Sequence, residues 1–116
     1  MALPASHLQI LIALTTGDLH GYGIMMTARK NGERLGPGAL YAAIGRLIDG
    51  GQIEEVDERP APELDDDRRR YYRLTPRGRA ALVLELDRLH SILERAAVAG
   101  IDRRAWRPSG PQLSTT

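Results

Sequence analysis

Residues 36–56 read GPGALYAAIGRLIDGGQIEEV, and this stretch decides the fold. Leu40, Ile44, Leu47 and Ile48 recur at helical spacing, which predicts a helix over residues 39–47 with one buried stripe. Pro37 falls in its first turn, where a missing N–H costs nothing, and Gly50-Gly51 closes the other end. Beyond Gly51 the pattern changes to two extended segments, residues 53–58 and 68–74, each with side chains that can line one side of a ribbon. The intervening Pro60-Ala61-Pro62-Glu63 and Asp65, Asp66 and Asp67 cannot continue a paired ladder, so they form the tip of a hairpin with a long loop.

Upstream, Leu8, Ile10, Leu11, Ile12 and Leu14 make an apolar first helix over residues 6–16, with Ser6 placed to cap it. It stops at Thr16-Gly17-Asp18, and His20-Gly21-Tyr22-Gly23 leads into a second helix that ends near Lys30-Asn31-Gly32. Downstream, Thr75-Pro76 supplies a capping hydroxyl and a first-turn proline for a last helix that Gly100 terminates. Along it Leu82, Leu86, Leu89, Leu93 and Ala96 are spaced alternately four and three apart, a seam with a seven-residue period. The order predicts a mostly α chain with a β-hairpin wing, that is, a winged helix-turn-helix. Three helices and a two-stranded wing occupy residues 6–74, a long C-terminal dimerisation helix residues 75–99, and a flexible tail residues 100–116.

The totals bound the function. The 116 residues suffice for one modest core, 42% apolar and 27% charged is a globular balance, and the core must be aliphatic because there is no Phe. The apolar run at residues 10–14 is far shorter than the roughly 20 residues of a membrane span, so a cytoplasmic, non-membrane protein is expected. Without Cys there are no disulfides, thiolate metal sites or Cys nucleophile. His7, His20 and His90 are scattered without metal spacing or a nucleophile motif, and His20 is placed to cap or pack at its turn. Adjacent aspartates on a loop make a poor cation cage. No enzyme, metal or cofactor is expected.

Net charge is only +1, but it is segregated: residues 54–67 hold eight acids against one Arg, and residues 68–79 hold six Arg and no acid. A helix about 10 Å across fits the DNA major groove, and the third helix is the natural reader. Its small start, with Gly38 and Ala39, lets backbone N–H groups approach phosphate. Tyr41 can offer its phenol to a phosphate or be a half-buried packing residue; Arg46 can meet a phosphate or a guanine, or serve as a surface charge. Arg29 and Lys30 add cations. In the wing, Tyr72 and Leu74 are expected inward, and Arg68, Arg69 and Arg70 toward the tip, near the DNA backbone or minor groove. The neighbouring aspartates oppose this unless the loop folds away and pairs with the arginines.

Three motifs, His20-Gly21-Tyr22-Gly23-Ile24, then Gly36-Pro37-Gly38-Ala39-Leu40-Tyr41 through Arg46-Leu47, then residues 70–78, RYYRLTPRG, occur in an order that resembles the PadR-like transcriptional regulators. The resemblance covers about residues 8–93. It implies a dimeric winged helix-turn-helix that usually represses its own or a neighbouring operon, with the C-terminal helix making much of the dimer contact and the third helix and wing binding DNA. Gly36, Ala39 and Gly45 depart from the family pattern, which often has Ser, Thr or a basic residue there, so side-chain hydrogen bonding is weakened. Any effector pocket would lie at the dimer interface, where an aromatic such as Trp106 can stack on a planar ligand, although a tail Trp more often anchors the C-terminus against apolar surface. A twofold dimer predicts a palindromic operator with half-sites roughly 34 Å apart or a multiple of it. The competing reading is a winged-helix protein-interaction module that has lost DNA binding.

Overall fold

The computed structural model describes residues 2–56 and 70–101. Its elements are α1 (Ala5–Ala13), a 3-10 turn (Leu14–Thr16), β1 (Leu19–His20), α2 (Gly21–Lys30), α3 (Pro37–Asp49), β2 (Ile53–Val56), β3 (Tyr71–Leu74) and α4 (Pro76–Val98). This is the expected order, with one strand more.

The first helix is shorter than its apolar run. Thr15 Oγ1 donates to the Ile12 carbonyl at 2.7 Å and Thr16 Oγ1 to that of Ala13, which satisfies two terminal carbonyls and tightens the last turn. Gly17 then breaks the chain away at φ 150°. Ser6 does not cap: Pro4 holds the cap position without a side-chain bond, and Ser6 lies within the first turn. Helix α3 ends as its glycines require. Gly51 takes φ 73°, its amide donates to the Ile48 carbonyl, and the Gln52 amide donates to that of Leu47.

The wing is a three-stranded antiparallel sheet in the order β1-β3-β2, not a two-stranded ribbon. Leu19 pairs with Tyr72 and His20 with Tyr71 on one side of β3; on the other, Ile53 pairs with Leu74 and Val56 with Tyr71. Strand alternation puts Tyr72 in the core and Leu74 partly against it, as expected, with Arg73 outward. The residues expected at the outer ends of both strands, 57, 58, 68 and 69, lie outside the described residues.

Ile10, Leu11, Leu14, Ile24, Leu40, Ile44, Leu47, Ile53, Tyr72 and Leu82 meet in one core that every helix and the sheet contribute to. Each fully buried aliphatic side chain stabilises by about 1.5–3 kcal/mol. Helix α4 is locked to the sheet at its start. Thr75 Oγ1 donates to the Gly51 carbonyl at 2.6 Å and accepts from the Gly78 amide at 3.0 Å, while the Thr75 amide donates to the Gln52 carbonyl. The chain divides into two compact units, Met1–Glu85 and Leu86–Thr116, so the first ten residues of α4 belong to the helical body.

Candidate nucleic-acid interface

Helix α3 turns Leu40, Ala43, Ile44 and Leu47 inward. At about 100° per residue, the direction opposite is occupied by Gly38, Ala42, Gly45 and Asp49, flanked by Tyr41 and Ile48 on one edge and by Ala39 and Arg46 on the other. All of these are exposed. A Cβ built on Gly38 or Gly45 meets nothing within 4 Å, so packing inside the chain demands neither glycine.

The N-terminus of α3 has Gly36 as its cap, with no side-chain bond, and Pro37 in the first turn. Its first-turn amides therefore point outward without a side-chain acceptor. A recess of about 640 Å³ opens beside it, lined by Met25, Arg29, Arg34, Leu35, Gly36 and Pro37. A second recess of about 390 Å³ is lined by Met26, Thr27, Arg29 and Lys30. Arg29 borders both. Among the described residues, Arg29, Lys30 and Arg34 form no ion pair; Arg29 and Arg34 stand next to the start of α3, and Lys30 shares the second recess with Arg29. Arg34 carries no signal in the sequence, since it follows the end of α2 and belongs to no motif.

Tyr41 is 54% exposed. Its phenol lies against Gly21, the first residue of α2, and among the described residues its hydroxyl has no hydrogen-bond partner. The ring thus packs on the scaffold while its edge stays open to solvent. Arg46 is exposed and near enough to His7 of α1 that its charge, after the larger effect of burial, holds the imidazole below its ordinary pKa.

His20 is a capping residue, as expected. Its Nδ1 accepts from the Gly23 amide at 2.9 Å, and its ring meets Tyr71 edge-on at 5.2 Å and stacks near Tyr22 at 6.3 Å. In the wing, Arg70 donates to Glu55 at 2.7 Å, with both side chains well exposed. The arginine is therefore held by a neighbouring acid in the free chain, and that bond raises its pKa further. Arg73 grips Asp18 with two bonds, at 3.0 and 3.3 Å, tying β3 to the loop before β1. Arg68 and Arg69 lie outside the described residues, as do Asp65, Asp66, Asp67 and Trp106. Burial, reinforced by Glu55, pushes the Tyr72 phenol up, in keeping with its place in the core.

The seam on α4 is only partly free. Leu82 is buried in the chain's own core, which removes it from the set open to a partner. Leu89 and Ala96 are partly covered, and Leu86 and Leu93 are exposed. Val83, Leu84, Ile92 and Val98 are exposed too, with Leu84 at 71% and Val98 at 90%, so exposed apolar residues occur off the seven-residue seam as well as on it. Among the described residues there is no group of three or more potential metal ligands, and no helix is long and apolar enough to cross a membrane.

Comparison with known proteins agrees with this geometry. One curated relative, "Transcriptional regulator Rv3488" of Mycobacterium tuberculosis, is 37% identical over 67% of this chain and 69% of its own length. Another, an uncharacterised 37.1 kDa protein in transposon TN4556 of Streptomyces fradiae, is 40% identical over 66% of this chain, which spans only 20% of that protein's length. Among solved structures, a PadR family transcription regulator from Clostridium difficile superposes with a TM-score of 0.70 at 25% identity, covering 81% of this chain and 96% of that one. A transcriptional regulator from Clostridium thermocellum gives a TM-score of 0.65 at 26% identity, covering 84% of this chain and 90% of the other. The profile of the transcriptional regulator PadR-like family matches residues 10–83, more than half of the sequence, and the chain belongs to that family of DNA-binding regulators.

Proposed function

We propose that this chain is a dimeric, sequence-specific DNA-binding repressor of the cytoplasm, which lays α3 in the major groove and sets its wing on the backbone or minor groove. The observation that carries the reading is the position of Arg29 and Arg34 beside the uncapped start of α3, with Lys30 in the recess that Arg29 also lines. Exposed cations without an ion pair among the described residues, next to outward amides and a helix of groove-fitting width, match the requirements of a phosphate backbone. The exposed Leu86 and Leu93, which share one side of α4, support dimer formation through that helix, since exposed apolar residues in a seam favour a partner. Twofold symmetry then calls for a palindromic operator with half-sites roughly 34 Å apart or a multiple of it.

One observation favours the reading of a protein-interaction module. The outward face of α3 carries Gly38, Ala42 and Gly45, which offer no side-chain donors to base edges. Selection of bound duplexes from a random pool decides between the two readings. A regulator enriches a palindromic sequence, and Arg46→Ala then relaxes preference at one position while Tyr41→Ala weakens binding to all sequences. An interaction module enriches nothing.

A further inference from the structure

Four glycines in the described residues have positive φ, and Gly21 is not one of them. It is buried in the first turn of α2 with ordinary helical backbone, so conformation does not explain it. Space does. A Cβ at Gly21 would strike the Tyr41 hydroxyl oxygen and stand 2.8 Å from Cζ and 3.1 Å from Cε1 of the same ring. The three atoms nearest to that Cβ all belong to Tyr41, so the missing methyl makes room for its ring. Gly38 and Gly45 on α3 stand in contrast, with open space around them.

We propose that Gly21 is a positioning residue for polyanion binding: its lack of a side chain forms the seat of the Tyr41 phenol and holds the hydroxyl where it donates to a DNA backbone phosphate. Seating the ring on α2 restricts its rotamers before any ligand arrives, so less side-chain entropy is lost on binding. The Tyr41 hydroxyl is free to donate, because no group among the described residues accepts from it. The binding half of this inference rests on the DNA-binding reading; the seat itself does not.

The test compares wild type, Gly21→Ala, Tyr41→Ala, Tyr41→Phe and the Gly21→Ala/Tyr41→Ala double variant on the selected duplex, with binding followed from low to moderate salt. Gly21→Ala and Tyr41→Ala are each expected to weaken binding about tenfold, as loss of one hydrogen bond to a charged group does. The double variant is expected to lose no more than either single one, because both remove the same contact. Tyr41→Phe keeps the ring seated, so it should retain the wild-type thermal midpoint, lose the same affinity and leave the salt slope unchanged, because a neutral phenol releases no counterion. Losses that multiply in the double variant, or an unchanged affinity in Gly21→Ala or Tyr41→Phe, would overturn the proposal. If Gly21→Ala alone does not fold, the double variant should fold, since the added methyl enters the space the ring has left; failure of both overturns it as well. The ring ¹³C resonances of Tyr41 in the free protein decide the seat without DNA: they should shift in Gly21→Ala, and their staying fixed refutes the seat. Wild type binding no duplex at low salt, with those resonances shifted, would overturn the phosphate role and the DNA-binding reading while leaving the seat intact.

Discussion

The α-carbon of Gly78, in the first turn of α4, lies against the main-chain carbonyl of Gln52: a β-carbon there would collide with that oxygen and stand 2.8 Å from the carbonyl carbon and 2.9 Å from Leu74 Cδ1. The same carbonyl accepts from the Thr75 amide, so neither backbone segment can yield without breaking the lock between sheet and helix. Gly78→Ala should therefore cost about 1–3 kcal/mol or more of stability, read as a lower urea midpoint.

Gly45 should behave in the opposite way. It is mid-helix, exposed and surrounded by open space, so Gly45→Ala should raise stability by about 0.5–1 kcal/mol. If α3 lies in the groove with this face toward the bases, the same methyl should weaken duplex binding. Stability and affinity moving in opposite directions, in urea titration and fluorescence anisotropy, is the expected outcome.

Glu55 holds Arg70 in the free chain. Removing the acid with Glu55→Gln should release the arginine to phosphate and raise duplex affinity about twofold or more at low salt, with the gain fading as salt screens the exposed charges. Fold stability should barely move. Anisotropy at two salt concentrations checks both statements.

His7 is held below its ordinary pKa of 6.5 by burial and then by Arg46. The unfolded chain therefore binds the proton more tightly than the folded one. The stability that depends on a neutral His7 is present above about pH 6.5 and is lost as the pH falls through the lower folded value. His7→Gln should flatten the stability profile over that acidic window, and Arg46→Gln, which lets the folded value rise back toward the ordinary one, should shrink the loss and end it at higher pH. Urea midpoints at stepped pH measure this.

Most of the fold could be read from local pattern. The Leu40, Ile44, Leu47 stripe with its flanking Pro37 and Gly50-Gly51 specifies α3 without any long-range information, and Thr75-Pro76 does the same for the start of α4. Strand β1 could not be read. It is two residues long, and it exists only because Tyr71 and Tyr72, some fifty positions later, pair with it. Ser6 has the right chemistry for a cap, but the helix begins one residue earlier, and such an offset depends on how the chain enters the core. Leu82 continues the α4 seam by spacing, and spacing cannot show that this turn faces the chain's own interior. The candidate site divides in the same way. Arg29, Lys30 and Tyr41 were visible as residue types at suitable places, whereas Arg34 beside the α3 N-terminus and Gly21 beneath Tyr41 emerge only from how α2 and α3 cross.

The salt dependence of duplex binding tests the central claim most directly. If a dimer neutralises about six phosphates through Arg29, Lys30 and Arg34 of each protomer, log affinity should fall against log salt with a slope of about −5. Replacing the three with Gln should remove most of that slope. Binding that is absent at low salt, or that ignores both salt and these three cations, would contradict the assignment of this face to DNA.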